Sequence, residues 1–311
     1  MVTTFRRYYE SGVRVLLAAS ALISILSVLF ITLFIMIEGL PLFFPPTASG
    51  HSPPTVGEFL FGTEWFPTDD PPSYGILPFI VASLMVTIGA LVLAVPIGVS
   101  VGIFIAEIAK GRAQAVLRSV IEILAGIPSV VYGFFGVMMI GFFLSNFTDP
   151  VVNYNAFAAM VILAVMTLPT ITNITEVSIR AVPRDYSDGC FALGATHWQT
   201  IRRVILPAAR GGILTGVILG MGRAIGETMA VLMVAGNQPT MPMEGIESRV
   251  RTLTMAIIND MGYAGGDHRV ALFTTAVVLF LFILALNITT QVIMRRSRKQ
   301  VGTDVLSSNA T

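Results

Sequence analysis

Long apolar runs set the architecture of this chain before any single residue is weighed. A bilayer core of roughly 30 Å takes about 20 apolar residues of helix at 1.5 Å rise each. Six stretches reach that length: 15–37, 78–106, 123–144, 156–175, 211–237 and 270–294. The third holds Pro128, the fourth Pro169, and the fifth Arg223 and Glu227, while the sixth stops at Arg295-Arg296. None alternates strictly between apolar and polar positions, which argues against lipid-facing barrel strands. The pattern predicts an all-α integral membrane protein with six transmembrane helices. Run 15–37 follows Arg6 and Arg7 as a signal peptide would, yet it exceeds a signal core and ends in Glu38-Gly39-Leu40-Pro41 without a small-x-small site. It is expected to remain as the first helix.

Basic residues fix an orientation. Arg6, Arg7 and Arg14 precede the first run, and Lys110, Arg112 and Arg118 lie between the second and third. Arg180, Arg184, Arg202, Arg203 and Arg210 lie between the fourth and fifth, and Arg295, Arg296, Arg298 and Lys299 follow the sixth. The opposite loops hold only Arg249, Arg251 and Arg269. The positive-inside rule then places both termini in the cytoplasm. The chain divides into a cytoplasmic N-terminus (1–14), a first helix (15–37) and an external loop (38–77). A core of five helices (78–294), with a cytoplasmic segment at 180–210, and a cytoplasmic tail (295–311) follow. The external loop is acidic and Pro-rich and is expected to be irregular, with Trp65-Phe66 as an interface anchor. Loop 238–268 is external as well, and the tail beyond Gln300 is expected to lack structure.

Small residues recur at four-residue spacing: Ala90, Ala94, Gly98, Gly102 and Ala106 in one row, Gly212, Gly216 and Gly220 in another. In lipid such rows let helix backbones approach, so they read as helix–helix seams. Gly220-Met-Gly222 sits inside an apolar run and is not a nucleotide-binding turn.

Composition narrows the function classes. Of 311 residues 54% are hydrophobic and 12% charged, against roughly 25% charged in soluble domains. A net charge of +1 leaves no footprint for nucleic acid. The single cysteine, Cys190, excludes an internal disulfide framework. Lys110 and Lys299 are the only lysines and neither follows a glycine, so the chain has no Walker A loop for ATP. His51, His197 and His268 are dispersed and give no metal site. Glu107, Glu122 and Glu176 fall near helix ends, where interfacial hydration accounts for them.

Residues 180–210 are the most informative segment. Pro183 and Pro207 bracket them. Asp185 or Ser187 is expected to cap a short helix and Gly194 to end it. A second short helix from Thr196 leads into Pro207. Phe191, Leu193, Trp198 and Ile201 supply apolar knobs suited to a partner's groove. The pattern Ala192-Leu193-Gly194-Ala195, then Ile205-Leu206-Pro207, resembles the EAA loop of bacterial ABC-importer permeases. Where that loop opens Glu-Ala-Ala, this chain has Asp188-Gly189-Cys190. The resemblance implies a coupling helix seated in a separate ATPase subunit, with Asp188, Ala192, Leu193, Gly194, Ala195 and Pro207 at the contact. No cofactor is expected in this chain, since ATP would be bound by that partner.

Three further runs narrow the resemblance: Gly126-Ile-Pro-Ser-Val-Val-Tyr-Gly-Phe-Phe-Gly136, Leu168-Pro-Thr-Ile-Thr-Asn173 and Gly222-Arg-Ala-Ile-Gly-Glu-Thr-Met-Ala-Val231. They resemble the PstC-type permeases of phosphate-specific ABC transporters. The related PstA type shares Arg-x-x-Gly-Glu-Thr, but the Met-Ala-Val continuation favours PstC. The resemblance implies the type I importer permease fold and a transporter subunit rather than an enzyme. Its implied partners are a PstA-type permease, two ATPase subunits, an extracytoplasmic phosphate-binding protein, phosphate and membrane lipid. Other oxyanions (sulfate, molybdate), an ATP-independent secondary transporter or channel, and a membrane sensor are the alternatives that the residues leave open.

Arg223 and Glu227 are charges inside an apolar run. A charge at the bilayer centre costs about 2.5–3.5 kcal/mol on insertion scales. Their spacing of four puts both on one helix face, close enough to pair. A packing ion pair is one reading. The resemblance implies instead that both serve the substrate path. On physical grounds Arg223 is then expected to meet the anion with its planar fork, and Glu227 to hold Arg223 when the path is empty and to weaken anion binding.

Overall fold

The computed structural model describes residues 2–44, 50–140 and 154–308. Helix α1 (Val2–Gly39) ends in a 3-10 turn at Leu40–Phe43. Helix α2 (Val56–Phe61) opens with a capping box in which Thr55 and Glu58 exchange side-chain and backbone hydrogen bonds. Strands β1 (Trp65–Phe66) and β2 (Ser73–Tyr74) pair antiparallel. Helix α3 (Leu77–Ile103) widens into a π turn at Phe104–Ile108. Then come α4 (Gly111–Gly126), α5 (Ser129–Phe135) and α6 (Ala156–Arg180). Two short helices, α7 (Arg184–Ala192) and α8 (His197–Thr200), lead through a π turn at Ile201–Ile205 into α9 (Leu206–Gly226). Helices α10 (Met229–Val234), α11 (Leu253–Met261) and α12 (Gly266–Ser308) complete the chain.

Among the described residues five helical stretches are long and apolar enough to cross a membrane, and α4 with α5, bent by 96°, makes a sixth when the pair is counted as one broken pass. The six expected spans are therefore present, with three corrections. The third begins at Gly111 rather than 123 and breaks at Ile127-Pro128; its expected end at 141–144 lies outside the described residues. The fifth is not one helix over 211–237. It starts at His197, runs through Pro207 and stops at Gly226. Pro207 does not end it, because the preceding turn already bonds i to i−5, with the Leu206 N–H donating to the Ile201 carbonyl. A wider turn tolerates the amide that proline lacks. The sixth continues as α12 to Ser308, so the tail is helical beyond Gln300.

The bundle is built around α6, the most enclosed span. Both small-residue rows face it. A Cβ on Gly98 would lie 2.9 Å from Ile171, one on Gly102 2.7 Å from Thr175, and one on Gly220 2.8 Å from Ile171. Each glycine thus marks a close backbone approach. Along α3 the partners rise (98 with 171, 102 with 175), so α3 and α6 run parallel; along α9 they fall (216 with 174, 220 with 171), so α9 runs antiparallel. Thr172 stitches the α3 seam by donating to the Gly98 carbonyl at 3.2 Å. Helix α1 stands at the edge, exposed along its apolar length and held to α12 near Gly39. There Thr274 donates to the Gly39 carbonyl at 2.6 Å, and Phe34 meets Phe273 edge to face.

From residue 50 onward the loop after α1 is not irregular. Phe59, Trp65, Tyr74, Ile76 and Phe79 form a buried cluster with Leu253, Ala256, Ala271 and Leu272. It caps the bundle at the end opposite to α7 and α8. Trp65 is 3% exposed, so it is a core residue of this cap rather than an interface anchor.

Candidate functional site: a broken span and a basic end

The two breaks lie against each other. Helix α5 packs on α10, where a Cβ on Gly133 would sit 3.1 Å from the Ala230 Cα and 2.7 Å from the Met233 Sδ. The α4–α5 corner is braced by Tyr132, whose hydroxyl donates to the Leu124 carbonyl at 2.7 Å. Arg223 lies in the last turn of α9, close enough to act electrostatically on the Tyr132 hydroxyl.

The i, i+4 pairing of Arg223 with Glu227 does not form. Glu227 follows the end of α9 with extended backbone (φ −71, ψ 129), so it has left the helix that carries Arg223. Its carboxylate accepts instead from the Ala230 N–H at 3.4 Å, at the start of α10, and its carbonyl accepts from the Thr254 hydroxyl at 3.4 Å. The Thr228 hydroxyl donates to the Gly226 carbonyl at 3.2 Å across the break. Arg223 is exposed in the single chain, and among the described residues its guanidinium has no ion pair. Since a lone guanidinium in hydrocarbon is costly, this surface faces water, an anion or another polypeptide.

At the basic end, residues 184–200 form a helix–turn–helix knob. Pro183 precedes α7 and no side chain caps it, so Asp185 and Ser187 lie inside the helix rather than at its cap. Gly194 adopts φ +82, which only glycine takes at no cost. This lets the Gly194 N–H donate to the Phe191 carbonyl at 2.9 Å and the Ala195 N–H to the Cys190 carbonyl at 3.0 Å. Thr196 and Gln199 then cap α8 reciprocally. Leu193 projects at the tip, 90% exposed, with Trp198 60% exposed beside it. Asp188, Ala192 and Ala195 share this knob, while Pro207 lies beyond it, within the continuing helix.

Two polar clusters escaped the sequence reading. Glu176 is not a hydrated helix-end residue: its side chain is 5% exposed. It accepts from Arg118 of α4 and from the Arg180 Nε at 2.9 Å. At the opposite end, Asp260 is 3% exposed and accepts from the Tyr263 hydroxyl and the Asn259 amide, each at 2.7 Å. It also accepts from the Arg251 guanidinium at 3.2 Å and the Trp65 indole at 3.3 Å. Burial is the largest single influence on this carboxyl and pushes it up. The hydrogen bonds from Tyr263 and Asn259, the Arg251 charge and the Trp65 bond together outweigh burial and hold it below the usual carboxylate range. Conversely, donation to Asp260 pushes the Tyr263 phenol up. A buried carboxylate needs partners, but these come from segments up to 195 residues away, beyond the reach of local patterns.

Comparison with known proteins agrees with this arrangement. Residues 98–300 match the model of the binding-protein-dependent transport system inner membrane component. The probable ABC transporter permease protein YqgH of Bacillus subtilis is 42% identical, with 91% of each chain covered. The phosphate transport system permease protein PstC of Pasteurella multocida is 33% identical over 78% of this chain and 81% of its own. PstC 1 of Mycobacterium tuberculosis is 33% identical over 75% of each. Among solved structures, the inward-facing MetNI methionine ABC transporter superposes with a TM-score of 0.54 at 20% identity, covering 72% of this chain and 94% of that one. A bacterial ABC transporter that imports alginate also reaches 0.54, at 15% identity, covering 71% and 79%. These last two speak for the fold alone. With six apolar passes, a projecting knob at the basic end and a match over most of its length, the chain belongs to the family of inner-membrane components of binding-protein-dependent ABC transporters.

Proposed function

We propose that this chain is the PstC-type permease of an ATP-driven phosphate importer, with its basic end in the cytoplasm. It pairs with a PstA-type permease, two ATPase subunits and an extracytoplasmic phosphate-binding protein. ATP is bound by the ATPase subunits, which receive the knob around Leu193 and Trp198. The relatives named PstC support the substrate. The observation that carries the site is Arg223, without an ion pair among the described residues, in the final turn of an apolar helix that breaks three residues later. Phosphate is an anion at neutral pH with several acceptor oxygens, and a guanidinium offers two parallel donors to them. Glu227, held at the start of α10, contributes a negative charge beside the path that weakens retention of the anion and favours its passage.

The test is labelled-phosphate uptake in cells lacking this chain, complemented with wild type, Arg223→Ala or Arg223→Lys at equal membrane levels. Wild type restores uptake and Arg223→Ala abolishes it with assembly intact. Arg223→Lys transports poorly, because an ammonium keeps the charge without the planar fork. Normal uptake by Arg223→Ala removes Arg223 from the path. Rescue of sulfate or molybdate uptake instead of phosphate reassigns the substrate.

A further inference from the structure

We propose that Glu176 is a positioning residue that carries displacement of the knob into the broken span. The inference rests on the reading of residues 184–200 as the ATPase contact.

Glu176 sits in the last turns of α6, and its one carboxylate joins two guanidiniums from different elements. Arg180 lies four residues before the start of α7, with only the Ala181–Pro183 turn between them. Besides its bond to Glu176, Arg180 donates from Nη2 to the Ile105 carbonyl at 3.2 Å, in the π turn that ends α3. That same carbonyl accepts from the Gln114 amide of α4 at 2.8 Å. The far side of the knob reaches the same turn, since His197 Nε2 lies 3.6 Å from Glu107 Oε2. Both ends of the knob are thus fastened to Phe104–Ile108, and Glu176 ties that fastening to α4 through Arg118.

The contacts continue inward. Arg118 stands eight residues before Gly126, so about 12 Å of helix separates it from the α4–α5 break. Helix α5 rests on α10 at Gly133, and α10 begins two residues after Glu227. Every step from the knob to the break beside Arg223 is a named contact or a single helix. Glu176 is where the path leaves α6, the helix that runs into the knob, and enters the broken pass. It is also the most buried charge along the path, so it cannot exchange its two arginines for water at no cost.

The experiment uses the purified four-subunit complex in proteoliposomes with its binding protein. ATPase subunits retained, ATP hydrolysed and labelled phosphate taken up are measured together. Glu176→Gln keeps the shape and one acceptor oxygen. It is expected to retain the ATPase subunits and their hydrolysis while phosphate uptake per ATP falls about 2- to 30-fold. Arg118→Gln, whose side chain is 47% exposed, removes the same contact from the periphery and gives the same loss even if the Glu176 variant assembles poorly. The double variant loses no more than Glu176→Gln alone, because the contribution of Arg118 passes through that carboxylate. An unchanged ratio in these variants, losses that multiply in the double, or uptake and hydrolysis that fall together with the amount of assembled complex each overturn the proposal. Leu193→Asp separates the underlying reading. If it leaves the ATPase subunits bound, the knob is not their contact and the path has no input. If it releases them, an unchanged ratio counts against Glu176 alone.

Discussion

Replacing Asp260 with alanine should unfasten the cap that closes one end of the bundle. Its side chain is 4% exposed and that of Arg251 11%, so their bond is largely shielded from water. Removing one member of a buried pair leaves the other charge unpartnered and costs about 3–5 kcal/mol. The bonds from Tyr263, Asn259 and Trp65 are lost as well. They do not add in full, because neighbours in one network share their energy. Arg251 is held further by its place 5.9 Å above the Phe79 ring, which keeps it from swinging freely to solvent.

The readout is local. The chain has two tryptophans, so in a Trp198→Phe background the emission reports Trp65 alone. In Asp260→Ala the indole loses its acceptor and the hairpin β1–β2 opens, so emission shifts to the red. Hydrogen exchange across residues 56–77 quickens by the equivalent of about 3–5 kcal/mol. Replacing both Asp260 with leucine and Arg251 with methionine should recover much of the loss, because an apolar pair needs no desolvation. Acidity gives an independent check. A carboxyl whose pKa is lowered on folding adds stability above its unfolded value of about 3.9 and loses it as pH falls through the folded value. Asp260 is lowered on folding, so its own contribution to the cap should persist at mildly acidic pH and be lost only below the usual carboxylate range. Unshifted Trp65 emission with a change in opening below about 1 kcal/mol, the scale of an exposed pair, would refute the reasoning.

Two other substitutions probe the scaffold. Gly102→Leu places a Cβ 2.7 Å from Thr175 and 3.0 Å from the Thr172 carbonyl, so α3 and α6 must separate; a loss of about 1–3 kcal/mol is expected in thermal unfolding of the solubilised complex. Gly194→Val meets no atom within 4 Å, so its whole cost of about 1–2 kcal/mol is backbone strain at φ +82; the turn between α7 and α8 should rearrange and ATPase subunits should be lost on purification, with the bundle itself unchanged by circular dichroism.

The sequence spoke most clearly where a single helix meets lipid or one neighbour. Hydropathy located all six passes, and the four-residue glycine rows named the seams on both sides of α6. It spoke least clearly about continuity. Pro96, Pro128 and Pro169 all lie in apolar runs, yet α3 and α6 continue through theirs. Near Pro96 the Ser100 hydroxyl donates to the Pro96 carbonyl at 2.6 Å, within a helix that stays whole. Only Pro128, close behind Gly126, coincides with a break, and hydropathy cannot weigh that difference. The burial of Glu176 and Asp260 was illegible for another reason. Whether a carboxylate near a helix end is wet depends on which distant segment covers it, and Arg118 and Trp65 are 58 and 195 residues away.

The break at Glu227 changes the electrostatics of the candidate path. On one unbroken helix the two charges would neutralise each other, and an incoming anion would have to displace Glu227 from Arg223. With α9 ended at Gly226, Glu227 is engaged by the first turn of α10, where a carboxylate is favoured by exposed N–H groups and the helix dipole. Arg223 then keeps its donors available without a competing carboxylate in bonding distance, and compensation for its charge has to come from water, a partner chain or the anion itself. An anion that approaches Arg223 replaces hydration rather than an ion pair. That exchange costs less than breaking a shielded pair, so in the proposed path an anion can bind without first separating two charges. The same break lets α10 turn away from α9 and pack on α5, so the geometry that frees Arg223 also brings the two interrupted passes into contact.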